Sequence, residues 1–196
     1  AVYCPYIVIE SKEEAYFMAG GMEGNILFDY LVENAKIASS SIMIRREVLE
    51  KVSGFDESFK RHQDWEFIDR IAARYKIAFT NQTLTFKHNE VRRNSPKKLE
   101  ELIDNRLYYL RKMKPVIEEL SIRDQNSVYS YHYSFLAKEC VRRKKIVQSV
   151  KWLCKSKHPI GNGCKIIADV IRYVYKKRHP QSCEDIVDKW SKRVFE

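Results

Sequence analysis

The chain has 196 residues, 44% of them hydrophobic, which is enough for one domain with a packed core or a domain with a helical annex. Its net charge of +10 is uneven: residues 1–120 hold 19 Lys and Arg against 19 Asp and Glu, whereas residues 121–196 hold 17 against 7. Five scattered cysteines with no C-x-x-C pair (Cys4, Cys140, Cys154, Cys164, Cys183) argue against a disulfide framework or a zinc site and fit a reducing compartment.

Val2 to Glu10, VYCPYIVIE, is a β-branched and aromatic run expected to form one sheet strand. It stands at the start of the chain, so the sheet is expected to lack strands. AVYCPYIVIE has no basic segment followed by a long apolar core, so no signal peptide is read there. No apolar run reaches the roughly 20 residues of a membrane span. The expected location is cytoplasmic, with room for a peripheral attachment at the inner membrane face. Gly20, Gly21 and Gly24 mark a loop, and no Gly-Lys-Ser/Thr follows to make it a phosphate cradle. Ile26 to Asn34 reads as a short helix with Ile26, Leu27, Tyr30 and Leu31 on one face.

From Ala38 to Arg74 the pattern predicts a short strand at Ser41–Ile44, a helix at 46–52, a glycine turn, a charged loop, and a helix opening at Gln63-Asp64. Gly54 is expected to take the positive backbone angle after the first helix, Phe55 to plug the core, and Asp56 to tie the turn through its carboxylate. The loop packs Asp56, Glu57, Lys60, Arg61, His62, Asp64 and Glu66 between two apolar faces. Asp64 falls in a first helical turn, where backbone amides and the helix dipole favour a carboxylate anion. It serves there either as a cap or as an exposed, ionised base. Trp65 is either core or an exposed apolar wall beside the loop.

Tyr75–Thr80 and Leu84–Lys87 read as strands joined by a polar turn at Asn81-Gln82. Ser95-Pro96 is expected to start a helix running to about Met113 on the back of the sheet, with Pro115 breaking or restarting it. Beyond Gln125 the chain reads as basic amphipathic helices, including VRRKKIVQSVKWLCKSK, KIIADVIRYVYKKRH and a last one from Ser182 to Val194. Such helices suit an anionic membrane surface, and equally a small bundle with a basic outer face. Nucleic acid is the less favoured polyanion, because no recognised motif concentrates the charge on one element.

Four blocks in order, Ser40-Ser41 with Ile44-Arg45-Arg46-Glu47-Val48, Gly54-Phe55-Asp56-Glu57, Gln63-Asp64-Trp65-Glu66-Phe67 and then Arg70, resemble the second half of the catalytic domain of family 2 glycosyltransferases. The resemblance covers about the first 115 residues. It implies an α/β fold: a partial GT-A sheet with flanking helices over residues 1–120, followed by an α-helical basic region over 121–196. It implies inverting transfer of a sugar from a nucleotide-diphospho-sugar to a glycan or lipid-linked acceptor, as in surface polysaccharide synthesis. Asp64 would be the general base, and Asp56, Glu57, Arg61, His62, Trp65 and Glu66 would line the acceptor side. His88, Arg92 and Arg93 would face the diphosphate or metal, Arg92 standing where the family often has a histidine. The implied cofactor is Mg²⁺ or Mn²⁺ held by an Asp-x-Asp motif, and this sequence contains no Asp-x-Asp. The expectation is therefore the acceptor-side piece of a longer enzyme. The alternative is a noncatalytic interaction module whose basic helices bind an anionic membrane or nucleic acid.

Overall fold

The computed structural model describes residues 1–9, 15–18, 21–88 and 98–156. Arg92, Arg93, the expected N-cap at Ser95-Pro96 and both expected helices beyond residue 163 lie outside the described residues. The described residues form a mixed α/β structure and divide into two compact units. One contains residues 1–55 and 67–88, the other 56–66 and 98–156. Position 120 lies between two helices of the same unit.

In the first unit the expected N-terminal strand is two strands, β1 (Val2–Tyr3) and β2 (Tyr6–Ile9), which belong to different sheets. The Cys4 N–H still donates to the Ser41 carbonyl at 3.0 Å, but Pro5 has no N–H to give to a ladder, and the strand ends there. β3 (Ala15–Met18) pairs antiparallel with β2, Tyr6 opposite Met18. β4 (Ile42–Met43) pairs antiparallel with β1. Ser41 does not open that strand as expected. It closes a 3₁₀ turn, Ser39–Ser41, in which its Oγ accepts the Ala38 N–H at 3.1 Å and donates to the Ala38 carbonyl at 3.0 Å.

β5 (Ala78–Phe79) and β6 (Thr85–His88) stand on either side of Asn81-Gln82 and belong to different sheets. β5 lies parallel to β1 and β6 parallel to β2, giving the sheet orders β4-β1-β5 and β3-β2-β6. Parallel neighbours need a long crossover. Here the crossover contains α1 (Leu27–Leu31), α2 (Arg46–Val52) and the greater part of α3 (Gln63–Ala72).

α2 was expected to bury Val48, Leu49 and Val52 and α3 to bury Phe67, Ile68 and Ile71; all of these are buried except Leu49, which is exposed. Ile26, Tyr30, Val48, Val52, Phe67, Ile68, Ile71 and Ile77 enclose Tyr3 in one core. Ile68 and Ile71 are almost wholly buried, each such side chain contributing about 2–3 kcal/mol. The Tyr3 hydroxyl donates to the Met22 carbonyl at 2.7 Å and accepts the Met22 N–H at 3.1 Å, fixing the loop before Gly24. Gly24 takes φ +90° and bridges Ile77 in both directions.

The end of α2 departs from expectation. Ser53, not Gly54, takes the positive angle, φ +64°. The carbonyls freed at this helix end are taken by arginines of α3 and the residues after it. Arg70 Nη1 donates to the Val52 carbonyl, its Nη2 donates to the Gly54 carbonyl at 2.7 Å, and Arg74 reaches the Lys51 carbonyl at 3.3 Å. Phe55 is more than half exposed and does not plug the core, although its ring lies 4.8 Å from that of Phe67.

The second unit is helical. α4 (Leu99–Glu118), α5 (Ile122–Arg142) and α6 (Ile146–Lys155) are held by Leu99, Ile103, Leu136, Ala137, Cys140 and Trp152. Ser121 caps α5 by accepting the Asp124 N–H at 3.2 Å, three residues ahead of the expected start. Pro115 does not break α4, which continues to Glu118. A proline inside a helix costs about 3 kcal/mol, and full burial of Met113 and Ile117 on either side offsets it.

Candidate active site

The charged loop enters at Asp56 and is fixed at each step. Asp56 Oδ1 accepts the Ser58 N–H at 2.9 Å and the Ser58 hydroxyl at 2.5 Å, which is the turn expected of it. Its Oδ2 receives Lys112 Nζ at 2.9 Å. The hydrogen bonds from Ser58 and Lys112 hold the Asp56 carboxyl down at about 2, so it stays ionised well below neutrality. Tyr108 donates to the Ser58 hydroxyl at 2.8 Å, and its ring meets the buried Phe59 edge-on at 4.9 Å. Gln63 Nε2 donates back to the Phe59 carbonyl at 2.6 Å. Two neighbours on α4, Tyr108 and Lys112, thus clamp the loop. Glu57 and Lys60 remain exposed.

His62 turns the chain into α3 with φ +66°, and its carbonyl accepts the Glu66 N–H in the first helical bond. Asp64 therefore sits in the first turn, half-buried, with Oδ1 accepting the Trp65 N–H at 3.1 Å. The remaining lone pairs are not engaged by any described protein donor. An anion here faces the free amides of a helix start.

Behind Asp64 lies an aromatic and cationic stack. The His62 ring is 4.1 Å from that of Trp65, and Tyr109 meets Trp65 edge-on at 5.9 Å. The Arg106 guanidinium lies 4.8 Å over Trp65 and 4.0 Å over Phe135, and its Nη1 is 3.0 Å from His132 Nδ1. Arg106 and His132 are buried, as is Tyr109. Arg106 lies at helical spacing with Leu99, Leu102, Ile103, Leu107 and Leu110 in the sequence, and a cation on that apolar stripe was the available signal. Lys112, Tyr108, Tyr109 and His132 gave none, since their partners are 26 to 56 positions away or, for the rings, on other elements.

Burial, then the positive charges of Arg106 and Arg61, push the His62 imidazole down to about 3. It is neutral at neutral pH. Because the folded state disfavours its protonation and the unfolded chain titrates near 6.5, stability falls as pH drops from 6.5 towards 3, by about 1.4 kcal/mol per unit. Urea unfolding at pH 7 and pH 5 is expected to show this loss in the native protein, and a His62→Phe variant is expected to lack that part of it.

Of the other expected residues, Arg61 is half-buried beside His62, and Glu66 is buried rather than presented to solvent. His88 is exposed at the end of β6 in the other unit, opposite Ile9. Among the described residues no cluster of three or more His, Cys, Asp or Glu could hold a metal ion. No helix among them is long and apolar enough to cross a membrane.

The geometry defines an α/β protein with a carboxylate at a helix start, held by a loop that side chains brace at both ends. Residues 10–96, somewhat under half of the chain, match the family described as glycosyltransferase like family 2. The match contains all four sequence blocks and supports a glycosyltransferase. No curated protein and no solved structure matches the chain significantly.

Proposed function

We propose that the chain supplies the acceptor side of an inverting sugar transfer, with Asp64 as the general base. The observation that carries this is the position of Asp64 inside the family match: first turn of α3, partly open, its Oδ1 fixed by the Trp65 N–H. An acceptor hydroxyl would hydrogen-bond to the free lone pairs of Asp64. As its oxygen attacks the anomeric carbon, the O–H proton passes to the carboxylate. The bond from that carbon to the diphosphate oxygen breaks, and the nucleoside diphosphate leaves on the opposite face, so configuration inverts. Trp65 and Arg61 are the neighbours on α3 and its loop that would contact the acceptor, whereas Asp56 holds the loop. Glu57 is exposed beside it and would meet only a larger acceptor.

Family 2 glycosyltransferases commonly use a divalent metal such as Mg²⁺ or Mn²⁺. Among the described residues no group of three or more His, Cys, Asp or Glu fits one. A leaving diphosphate requires charge neutralisation, which the donor-binding residues of the enzyme would have to provide. His88, Arg92 and Arg93 remain the candidates for that side.

The test is release of nucleoside diphosphate from a panel of nucleotide-sugars by the complete gene product in the presence of glycan or lipid-linked acceptors. Acceptor-dependent release is the expected result. An enzyme that releases nucleoside diphosphate from none of them, while its fold is intact, would overturn the proposal. The second reading, an interaction module, is favoured by one observation, the outer face of α6.

A further inference from the structure

α6 is buried on one side only. Ser149 and Trp152 face the second unit's core, where Ser149 Oγ donates to the Ala137 carbonyl at 3.0 Å and the Trp152 ring stacks on Tyr133 at 5.8 Å. On the opposite side Ile146, Val147 and Val150 are 59%, 74% and 52% exposed. At about 100° per residue these three and the exposed Cys154 share one arc of the helix, and Lys151 and Lys155 occupy the arc beside it. Lys144 and Lys145 stand at the start of the helix. From Arg142 to Ser156 the chain carries six basic residues and no acidic one.

We propose that this face of α6 is a docking surface for an anionic lipid membrane, with Ile146, Val147 and Val150 entering the interface and the lysines meeting the headgroups. Three aliphatic side chains give only marginal attachment, and lysines alone adsorb without entering. The two together make the pair of signals that stable interfacial binding needs. Charge decides against a second copy of the chain, because a two-fold contact would bring the lysine rows of both copies together. Nucleic acid is disfavoured by the side chains on offer: the aromatic ring of α6, Trp152, is buried and cannot stack on a base, while aliphatic exposure contributes nothing to phosphate binding. The inference stands independently of the sugar transfer.

The experiment is co-sedimentation of the full chain with vesicles of phosphatidylcholine alone or with about one third phosphatidylglycerol. Binding only to the anionic vesicles is expected. A Val147→Trp variant should show blue-shifted emission with those vesicles, reporting entry into the interface. Val147→Asp combined with Val150→Asp should weaken binding at least about tenfold with an unchanged circular dichroism spectrum, both positions being exposed. Lys151→Gln with Lys155→Gln should weaken it without touching the apolar arc. Equal binding to neutral vesicles, no emission shift, or undiminished binding by the aspartate variant would overturn the proposal. So would variants that change only dimerisation, or capture by duplex DNA in place of vesicles.

Discussion

Replacing Asp64 with asparagine in the complete gene product is expected to lower kcat for sugar transfer by about a thousandfold, with little change in KM for either substrate and no change in the melting midpoint. The substitution separates the two roles that an aspartate in a first helical turn can have. Asparagine satisfies helix-start amides about as well as aspartate does, and its Oδ1 can still accept the Trp65 N–H that Asp64 accepts at 3.1 Å. What asparagine cannot do is take up a proton. A merely structural Asp64 would leave the rate intact in this variant, and unchanged turnover would therefore remove the residue from the chemistry. Steady-state kinetics with a thermal melt on the same sample decides between them.

The second large effect concerns Arg106. Truncation to alanine is expected to destabilise the helical unit by about 3 kcal/mol, since it empties a buried site and removes a cation held between Trp65 and Phe135. Each desolvated cation–ring contact is worth about 2 kcal/mol, and losses at one site do not simply add. Arg106→Met should recover part of the stability by refilling the volume. It should not recover the pairing with His132 Nδ1 at 3.0 Å. Because Arg106 also depresses the His62 imidazole, both variants should raise the His62 titration midpoint from about 3. That shift, followed by the ring-proton resonances of His62, distinguishes loss of the charge from loss of packing alone. A melt unchanged by Arg106→Ala would mean that the stack does not hold the loop.

How much of this was legible beforehand varies with the range of the interaction concerned. α2 was expected over 46–52 and occupies Arg46–Val52, and α3 opens at Gln63 as expected, because amphipathic spacing and a charged first turn are local signals. The same spacing identified the core residues Val48, Val52, Phe67, Ile68 and Ile71, but it also placed Leu49 there, which is exposed. Strand partners were a different matter. Tyr75–Thr80 and Leu84–Lys87 were read as strands joined by a polar turn, with no partners assigned, and their partners are β1 and β2, more than seventy positions earlier. Nothing in a strand's own residues says whether its neighbour is the next strand or the first one. Pro115 misled for the opposite reason, since the propensity rule is local and the burial of Met113 and Ile117 that overrides it is tertiary.

The candidate site shows the same division. The placing of Asp64 in a first helical turn was readable from the apolar run after it, whereas its role as a base came only from the family resemblance; the Asp56 turn was readable from the loop chemistry of aspartate. The clamp of Tyr108 and Lys112 and the stack around Arg106 were not, because they join the loop to α4 and α5 across long stretches of chain. A buried arginine on a helix stripe is the one feature that could have prompted a search for aromatic partners. The loop's density of charge, conspicuous in the sequence, resolves into separate fates. Asp56 is bonded to Lys112, Glu66 is buried, Glu57 is exposed, and Asp64 alone stands with open lone pairs at a helix start.

The most direct measurement is the anomeric configuration of the transferred sugar, read from the anomeric proton coupling in the product of the complete gene product. A base that activates the acceptor in one displacement predicts a product inverted relative to the nucleotide-sugar donor. Retention would require a covalent or equivalent intermediate and a second displacement, and would contradict the assignment of Asp64 as the base.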